Sequence, residues 1–115
     1  MLASHRHFVN WLLKNYPKHT ISVHNTVSWE VKRSRSKAEI LEACTHTDEA
    51  TLRVRDDSGE KVAWAYVVLQ YNEAYTLTDW SGGDNEIMTK WEKAYDDYET
   101  SQYKNNPNCY NNVTV

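Results

Sequence analysis

Four basic side chains crowd one short segment of the chain. Lys32, Arg33, Arg35 and Lys37 lie close together in sequence, around the predicted start of a helix. The first amides of a helix lack partners within the helix, and its dipole favours an anion at that end. A phosphate group therefore fits this segment, and Trp29 and Trp64, expected nearby, can stack on an unpaired base. The competing interpretation is a solvated basic turn, because short basic runs are common on protein surfaces.

A second set of candidate residues is acidic and lies in the second half of the chain. The carboxylates of a predicted closing helix, with a Trp-Ser-Gly-Gly corner before it, form a candidate partner-binding surface made of Trp80, Asp84, Glu92, Asp96, Asp97 and Glu99. Regularly spaced carboxylates can imitate nucleic-acid phosphates or meet a basic groove on another protein. A Trp beside glycines is typical both of an interface anchor and of a packed strand end. The alternative for the carboxylates is a solvated helix face.

Histidine and cysteine offer the chemistry of metal binding and of nucleophilic attack. Cys44 and His46 form the best pair, but no Cys-x-x-Cys or His-x-x-x-His completes a tetrahedral zinc set. Cys44 is predicted near the C-terminal end of a helix, where the dipole disfavours a thiolate. The sequence has neither a glycine-rich phosphate loop nor a nucleophile motif. We therefore predict no metal site, no cofactor and no catalytic residues, with a small metal-dependent enzyme as an alternative.

Composition and charge limit the classes of protein to which this chain can belong. The 115 residues are 40% hydrophobic and 25% charged, a balance typical of one folded domain. Five Trp and eight Tyr accompany a single Phe, and rings that carry a polar atom suit partly buried surfaces. Residues 1–47 contain seven Lys or Arg and three acids, whereas residues 48–115 contain six and thirteen. The net charge of −3 thus hides halves of about +4 and −7, which can orient a charged partner.

The elements that must position these residues follow from the hydrophobic pattern. Apolar residues at helical spacing predict helices over about 3–15, 37–44 and 85–102. Alternation predicts strands over about 21–32, with a possible break at Asn25, and over about 51–56, 61–71 and 75–80. Ser36 and Glu39 form a capping box before the second helix. The order α-β-α-β-β-β-α predicts an α+β fold, an antiparallel sheet of about four strands with helices packed on one face.

The predicted domain covers residues 1–103, and residues 104–115 form a flexible C-terminal tail with too little apolar content to fold alone. The longest apolar run, Val62 to Leu69, is far shorter than the roughly twenty residues of a membrane-spanning helix. The first residues do not resemble a signal peptide. We therefore expect a cytoplasmic protein without membrane contact, in which Cys44 and Cys109 are free thiols.

The sequence ranks function classes without deciding among them. The leading hypothesis is a non-enzymatic module that binds another protein, supported by the aromatic content and the acidic helix. The Trp- and Tyr-rich composition with separated charge is similar to that of small accessory proteins of bacteriophages and mobile elements. Many of those bind and inhibit host proteins, defence nucleases among them, in the host cytoplasm. The alternative is a nucleic-acid-binding accessory protein that uses residues 32–37, although a pI near 5.9 counts against a dedicated one. Exposed aromatics and sheet edges also allow a homodimer.

Overall fold

The structure is a computed structural model that describes residues 3–25, 27–70 and 74–104. Within them the chain forms three helices, α1 (Ser4–Asn15), α2 (Lys37–Cys44) and α3 (Glu86–Lys104). It also forms five strands, β1 (Thr20–His24), β2 (Trp29–Ser34), β3 (Glu49–Arg55), β4 (Lys61–Gln70) and β5 (Ala74–Trp80). None of these described helices is both long and apolar enough to cross a membrane. Apart from Lys104, which ends α3, the predicted tail lies outside the described residues, as does Cys109.

The five strands form one antiparallel sheet in the order β2-β1-β3-β4-β5. The predicted α+β class is confirmed, but the sheet has five strands where about four were expected. The difference arises at Asn25, whose side-chain oxygen accepts hydrogen bonds from the amides of Val27 and Ser28, both at 2.7 Å. This side chain stabilises a turn that separates β1 from β2. The long strand β4 is paired on both sides, as its two apolar faces predict.

Side chains fix where two of the helices begin. Ser36 caps α2, because its Oγ accepts the amide of Glu39 at 3.3 Å. The Glu39 carboxylate accepts from the hydroxyl of Ser34 at 3.2 Å, and that hydroxyl oxygen in turn accepts the Ser36 amide at 2.9 Å. In a capping box the Glu39 carboxylate would accept the Ser36 amide directly. Here the hydroxyl of Ser34 bridges these two groups. Asn85 caps α3 by accepting the amide of Met88 at 2.9 Å.

All three helices pack on one face of the sheet. Alternate strand residues point toward the helices and are fully buried, including Leu52 and Val54 on β3 and Ala65 on β4. From the helices, the rings of Phe8 and Trp91 meet edge to face with 5.5 Å between their centroids. The hydrophobic core thus uses one face of the sheet, and the described helices leave the other face uncovered.

Helix α1 also protects one edge of the sheet. The buried hydroxyl of Ser4, at the start of the helix, accepts the backbone amide of Leu77 on the edge strand β5 at 2.8 Å. Unpaired amides on an edge strand invite pairing with another chain. This hydrogen bond therefore ties α1 to the sheet and removes one such amide from the edge.

Candidate functional site

The face of the sheet opposite the helices carries aromatic and basic side chains. Strand pairing sets Ser22, Arg53 and Trp64 side by side on β1, β3 and β4. Residues paired directly across an antiparallel sheet project from the same face, and the neighbours Leu52 and Val54 are buried on the other one. Arg53 and Trp64 are half-buried, so part of each side chain reaches solvent. This row is the centre of the surface that we call the open face.

Trp29 joins the row from the edge strand β2. The guanidinium carbon of Arg53 lies 4.9 Å from the centroid of the Trp29 ring, a cation–π distance. The ring of His24 lies on β1 with its centroid 4.7 Å from that of Trp29. These contacts order the indole and the guanidinium in advance, which lowers the entropy cost of binding a further flat group.

A depression of about 220 Å³ adjoins this row. Its lining consists of Ser22, Trp29, Lys32, Arg33 and Arg55. Ser22 is buried, and its hydroxyl accepts the amide of Arg33 at 2.9 Å. The Arg55 guanidinium donates to the carbonyl of Gly59, in the turn between β3 and β4, at 2.9 Å. Three cationic side chains around so small a volume make its potential positive and favour an anionic group there.

Acidic side chains lie farther along the open face. Tyr66 on β4 pairs with Asp79 on β5, and its hydroxyl donates to the carboxylate of Glu49. That hydrogen bond is the main reason why the pKa of the Tyr66 hydroxyl is raised. The open face thus combines aromatic rings with a positive region around the depression and a negative region around Glu49 and Asp79.

The structure brings half of the predicted basic segment to this surface. Lys32 and Arg33 line the depression beside Trp29, one of the two tryptophans that the stacking hypothesis paired with them. Lys37 is exposed and is the first residue of α2. It does not line the depression.

Arg35 has a different set of contacts. Its guanidinium donates to the carbonyls of Leu13 at 2.8 Å and Tyr16 at 2.9 Å, and also to that of His19. These carbonyls lie at or just beyond the C-terminal end of α1, where the helix has no amides left to satisfy them. A cation there also opposes the negative end of the helix dipole. The contacts of Arg35 therefore indicate a role in holding α1.

The predicted acidic surface lies on and before α3, and part of it is already engaged within the chain. Trp80 is half-buried and packs edge to face on Trp91 with 5.1 Å between centroids, while its indole donates to Glu92. Asp97 pairs with Lys93 one helical turn away at 3.2 Å. Such exposed pairs contribute little to stability, but they neutralise part of the acidic field.

The remaining predicted carboxylates differ in exposure. Asp84 and Asp96 are exposed, and Glu99 is half-buried. Glu92 and Asp97 are exposed as well, but each has a partner within the chain, so the acidic surface is less uniform than its sequence indicates.

The cysteine and histidine residues are not gathered into a metal site among the described residues, where no group of three or more His, Cys, Asp and Glu could hold an ion. Cys44 is buried, and burial raises the pKa of its thiol to about 12. The thiol is therefore protonated at neutral pH and is a poor nucleophile. His46 is exposed, and its Nδ1 lies 3.1 Å from a carboxylate oxygen of Glu30.

His7 belongs to an aromatic cluster between α1 and α3. Its Nδ1 accepts the indole N–H of Trp91 at 3.1 Å, so in this hydrogen bond the ring is neutral with its proton on Nε2. Its ring centroid lies 5.0 Å from that of Tyr95 and 4.8 Å from that of Tyr98. Burial lowers the pKa of His7, as it does that of the neighbouring His5. The cluster joins two helices and has the character of core packing.

Sequence reasoning missed four side chains of the open face: Ser22, Arg53, Arg55 and Tyr66. A signal for the two arginines was present, because an inward Leu52 and Val54 force the residues that alternate with them to point outward. What the sequence lacked was the strand order, which alone sets Ser22 and Trp64 on either side of Arg53.

Comparisons with known proteins do not indicate a function, so a function has to be argued from this geometry. No protein-family model, curated protein or solved structure matches the chain.

Proposed function

We propose that this chain is a small module that binds a single-stranded nucleic acid on the open face of its sheet. The observation that carries the proposal is the row of Arg53 and Trp64 beside Trp29, next to a depression lined by three cations. Unpaired bases expose flat π-faces, which indole rings and guanidinium groups accept largely without regard to base identity. The backbone of the same strand supplies the negative charge that the depression attracts.

The choice of single strands over duplexes rests on the accessibility of the bases. In a duplex the faces of the bases are stacked on one another, and proteins read only their edges by inserting a helix or a narrow ribbon into a groove. A broad sheet face with half-exposed rings matches splayed, unstacked bases instead.

The choice of nucleic acid over a protein partner rests on local charge. Trp, Tyr and Arg are also enriched at protein interfaces, so the residue types alone fit both partners. Lys32, Arg33 and Arg55 surround one depression of about 220 Å³, which matches a phosphate more closely than an apolar side chain. The acidic charges on α3 lie beyond the opposite face, where salt screens them over about 10 Å. Glu49 and Asp79 lie on the open face itself, and their charge favours the backbone of a bound strand at the depression rather than at their end.

The test is fluorescence anisotropy of a labelled short oligothymidylate and of the corresponding duplex, titrated with the protein at several salt concentrations. We expect the single strand to bind more tightly than the duplex, and its affinity to fall linearly with salt on logarithmic axes. Trp64→Ala and Arg53→Ala should each weaken binding roughly tenfold, the size of one lost stacking contact. Lys14→Ala is the control, since it removes an exposed charge from α1, which packs on the other face.

Two results would contradict the proposal. One is the absence of salt-dependent binding by the wild-type chain. The other is an equal, small effect of Trp64→Ala, Arg53→Ala and Lys14→Ala while circular dichroism shows all three variants folded. The second result would mean that binding is diffuse attraction rather than contact with the open face.

A second candidate is a protein-binding module that uses the acidic surface of α3, including the form in which the chain inhibits a host protein such as a defence nuclease. The specific observation in its favour is that four of its five carboxylates, those of Asp84, Glu92, Asp96 and Asp97, are exposed. We propose the cytoplasm as the compartment for either function, since a buried thiol such as Cys44 stays reduced there.

Affinity capture of the tagged chain from nuclease-treated lysate separates the two candidates. A stoichiometric protein that is retained by the wild type and lost from the triple variant Asp84→Lys, Asp96→Lys, Glu99→Lys would support the protein-binding candidate. Retention by that variant but loss from Arg53→Ala would move the protein contact to the open face, and an empty capture after nuclease treatment favours the nucleic-acid function.

A further inference from the structure

The basic depression contains a β-bulge in the edge strand β2. Between two regular pairs of the β1–β2 ladder, Ser22 alone lies opposite two residues, Lys32 and Arg33. Arg33 has a φ angle of +48°, in the left-handed region that side chains other than glycine adopt at a cost. A bulge of this kind redirects side chains out of the regular alternation of a strand. Both consecutive residues consequently line the depression, which a regular strand would not allow.

The bulged residue Arg33 has contacts both through its backbone amide and through its guanidinium. The Arg33 amide donates to the buried hydroxyl of Ser22 at 2.9 Å, which fixes the backbone. Its guanidinium lies beside Gly59, where a Cβ would be 3.5 Å from Nη1, an ordinary van der Waals contact. Arg55 donates to the carbonyl of the same Gly59 at 2.9 Å. Two guanidinium groups therefore converge on one turn.

This arrangement has two unfavourable features that an anion would offset. Like charges that converge on one turn repel each other, and a non-glycine residue at positive φ stores backbone strain. Strain of this kind occurs most often at binding sites, where it positions a side chain. A phosphate group provides oxygens for both guanidinium groups and for the Lys32 ammonium, in charge-assisted hydrogen bonds.

We propose that the bulge at Arg33 builds a phosphate subsite, which holds one phosphodiester of a bound strand while Trp29 and Trp64 stack on its bases. The inference rests on the proposed function, and it adds that a single phosphate sets the register of the strand on the sheet. The competing explanation is that the bulge only twists the edge of β2 away from pairing with other strands.

The decisive variant is Arg33→Gly. Glycine adopts a positive φ without strain, so the bulge and the fold should persist while the guanidinium is lost. The matched control is Lys14→Ala, which also removes one positive charge. Each protein is titrated with short oligothymidylates that carry one neutral methylphosphonate at successive positions, and with the unmodified strand at several salt concentrations.

If the subsite exists, the wild-type chain and Lys14→Ala should lose about tenfold in affinity when the methylphosphonate occupies one position, and Arg33→Gly should lose nothing further there. The slope of log affinity against log salt should become shallower by about one in Arg33→Gly.

The outcomes distinguish this inference from the function on which it rests. No binding of any strand by the wild type would refute the proposed function. Binding by the wild type that Arg33→Gly retains, with the same loss at every methylphosphonate position in both proteins, would overturn the subsite alone. That second result would leave edge protection as the role of the bulge.

Discussion

The two faces of the sheet differ in burial and in residue type. On β3, Leu52 and Val54 point toward the helices and are fully buried, whereas Arg53 between them points away and is half-buried. On β4, Ala65 is fully buried and Trp64 beside it is half-buried. The covered face contains small and aliphatic side chains that allow close packing against helices. The open face contains large flat and cationic groups that the core does not require. Core packing therefore does not determine which residues occur there, and they can be suited to a partner.

The largest expected effect separates the faces at neighbouring positions of one strand. Leu52→Ala leaves a cavity among fully buried side chains and should lower the free energy of unfolding by about 3 kcal/mol. Arg53→Ala removes a partly solvated group and should cost less than about 1 kcal/mol. Urea denaturation followed by circular dichroism measures both values. Similar costs for the two variants would mean that Arg53 is a structural residue and would remove the distinction between the faces.

Within the basic segment, the same comparison predicts opposite results for an arginine and a lysine. Arg35→Ala removes three hydrogen bonds to carbonyls at the end of α1 and should lower the free energy of unfolding by about 1–2 kcal/mol, with little effect on oligonucleotide affinity. The matched variant Lys32→Ala should leave stability unchanged and weaken binding. A loss of affinity by Arg35→Ala that equals the loss by Lys32→Ala would contradict this assignment.

The aromatic cluster on the covered side predicts a pH dependence of stability. Burial holds the pKa of His7 in the folded chain below its ordinary value of 6.5. As the pH falls through about 6.5, the unfolded chain binds a proton first, so the free energy of unfolding falls with decreasing pH and is highest above that range. The contribution of His7 should stay under about 1 kcal/mol because the ring is half-exposed.

His7→Gln is the matched variant for this prediction. Glutamine keeps an acceptor for the indole of Trp91 but does not titrate, so its unfolding free energy should vary less between about pH 7.5 and pH 5.5. The buried His5 shifts in the same direction and leaves a residual slope. An unchanged pH dependence in His7→Gln would exclude His7 as a source of the effect.

Local pattern predicted the elements, and long-range pairing decided the site. The alternation at Leu52 and Val54, and the cap at Ser36, depend on neighbours in sequence, and both are confirmed. Arg35 and Lys32 look equivalent in the sequence, yet one reaches α1 and the other the depression. That separation depends on the C-terminal end of α1 lying within reach of Arg35 and on the bulge opposite Ser22, and neither leaves a signature in the residues themselves.

The smallest expected effect concerns the strain at Arg33. Replacing a residue at a φ of +48° with glycine removes a steric cost of about 1–2 kcal/mol, and the greater freedom of glycine in the unfolded chain returns part of it. Arg33→Gly should therefore raise the free energy of unfolding by roughly 0.5 kcal/mol. Thermal and urea unfolding of the variant beside Arg33→Ala, which keeps the strain and loses the same charge, measure it. If Arg33→Gly is less stable than Arg33→Ala by the full entropy cost of glycine, about 0.5–1 kcal/mol, the backbone at this bulge is unstrained. A gain in stability together with a loss of affinity would mean that the chain keeps a less stable residue at the edge of its sheet for the sake of binding.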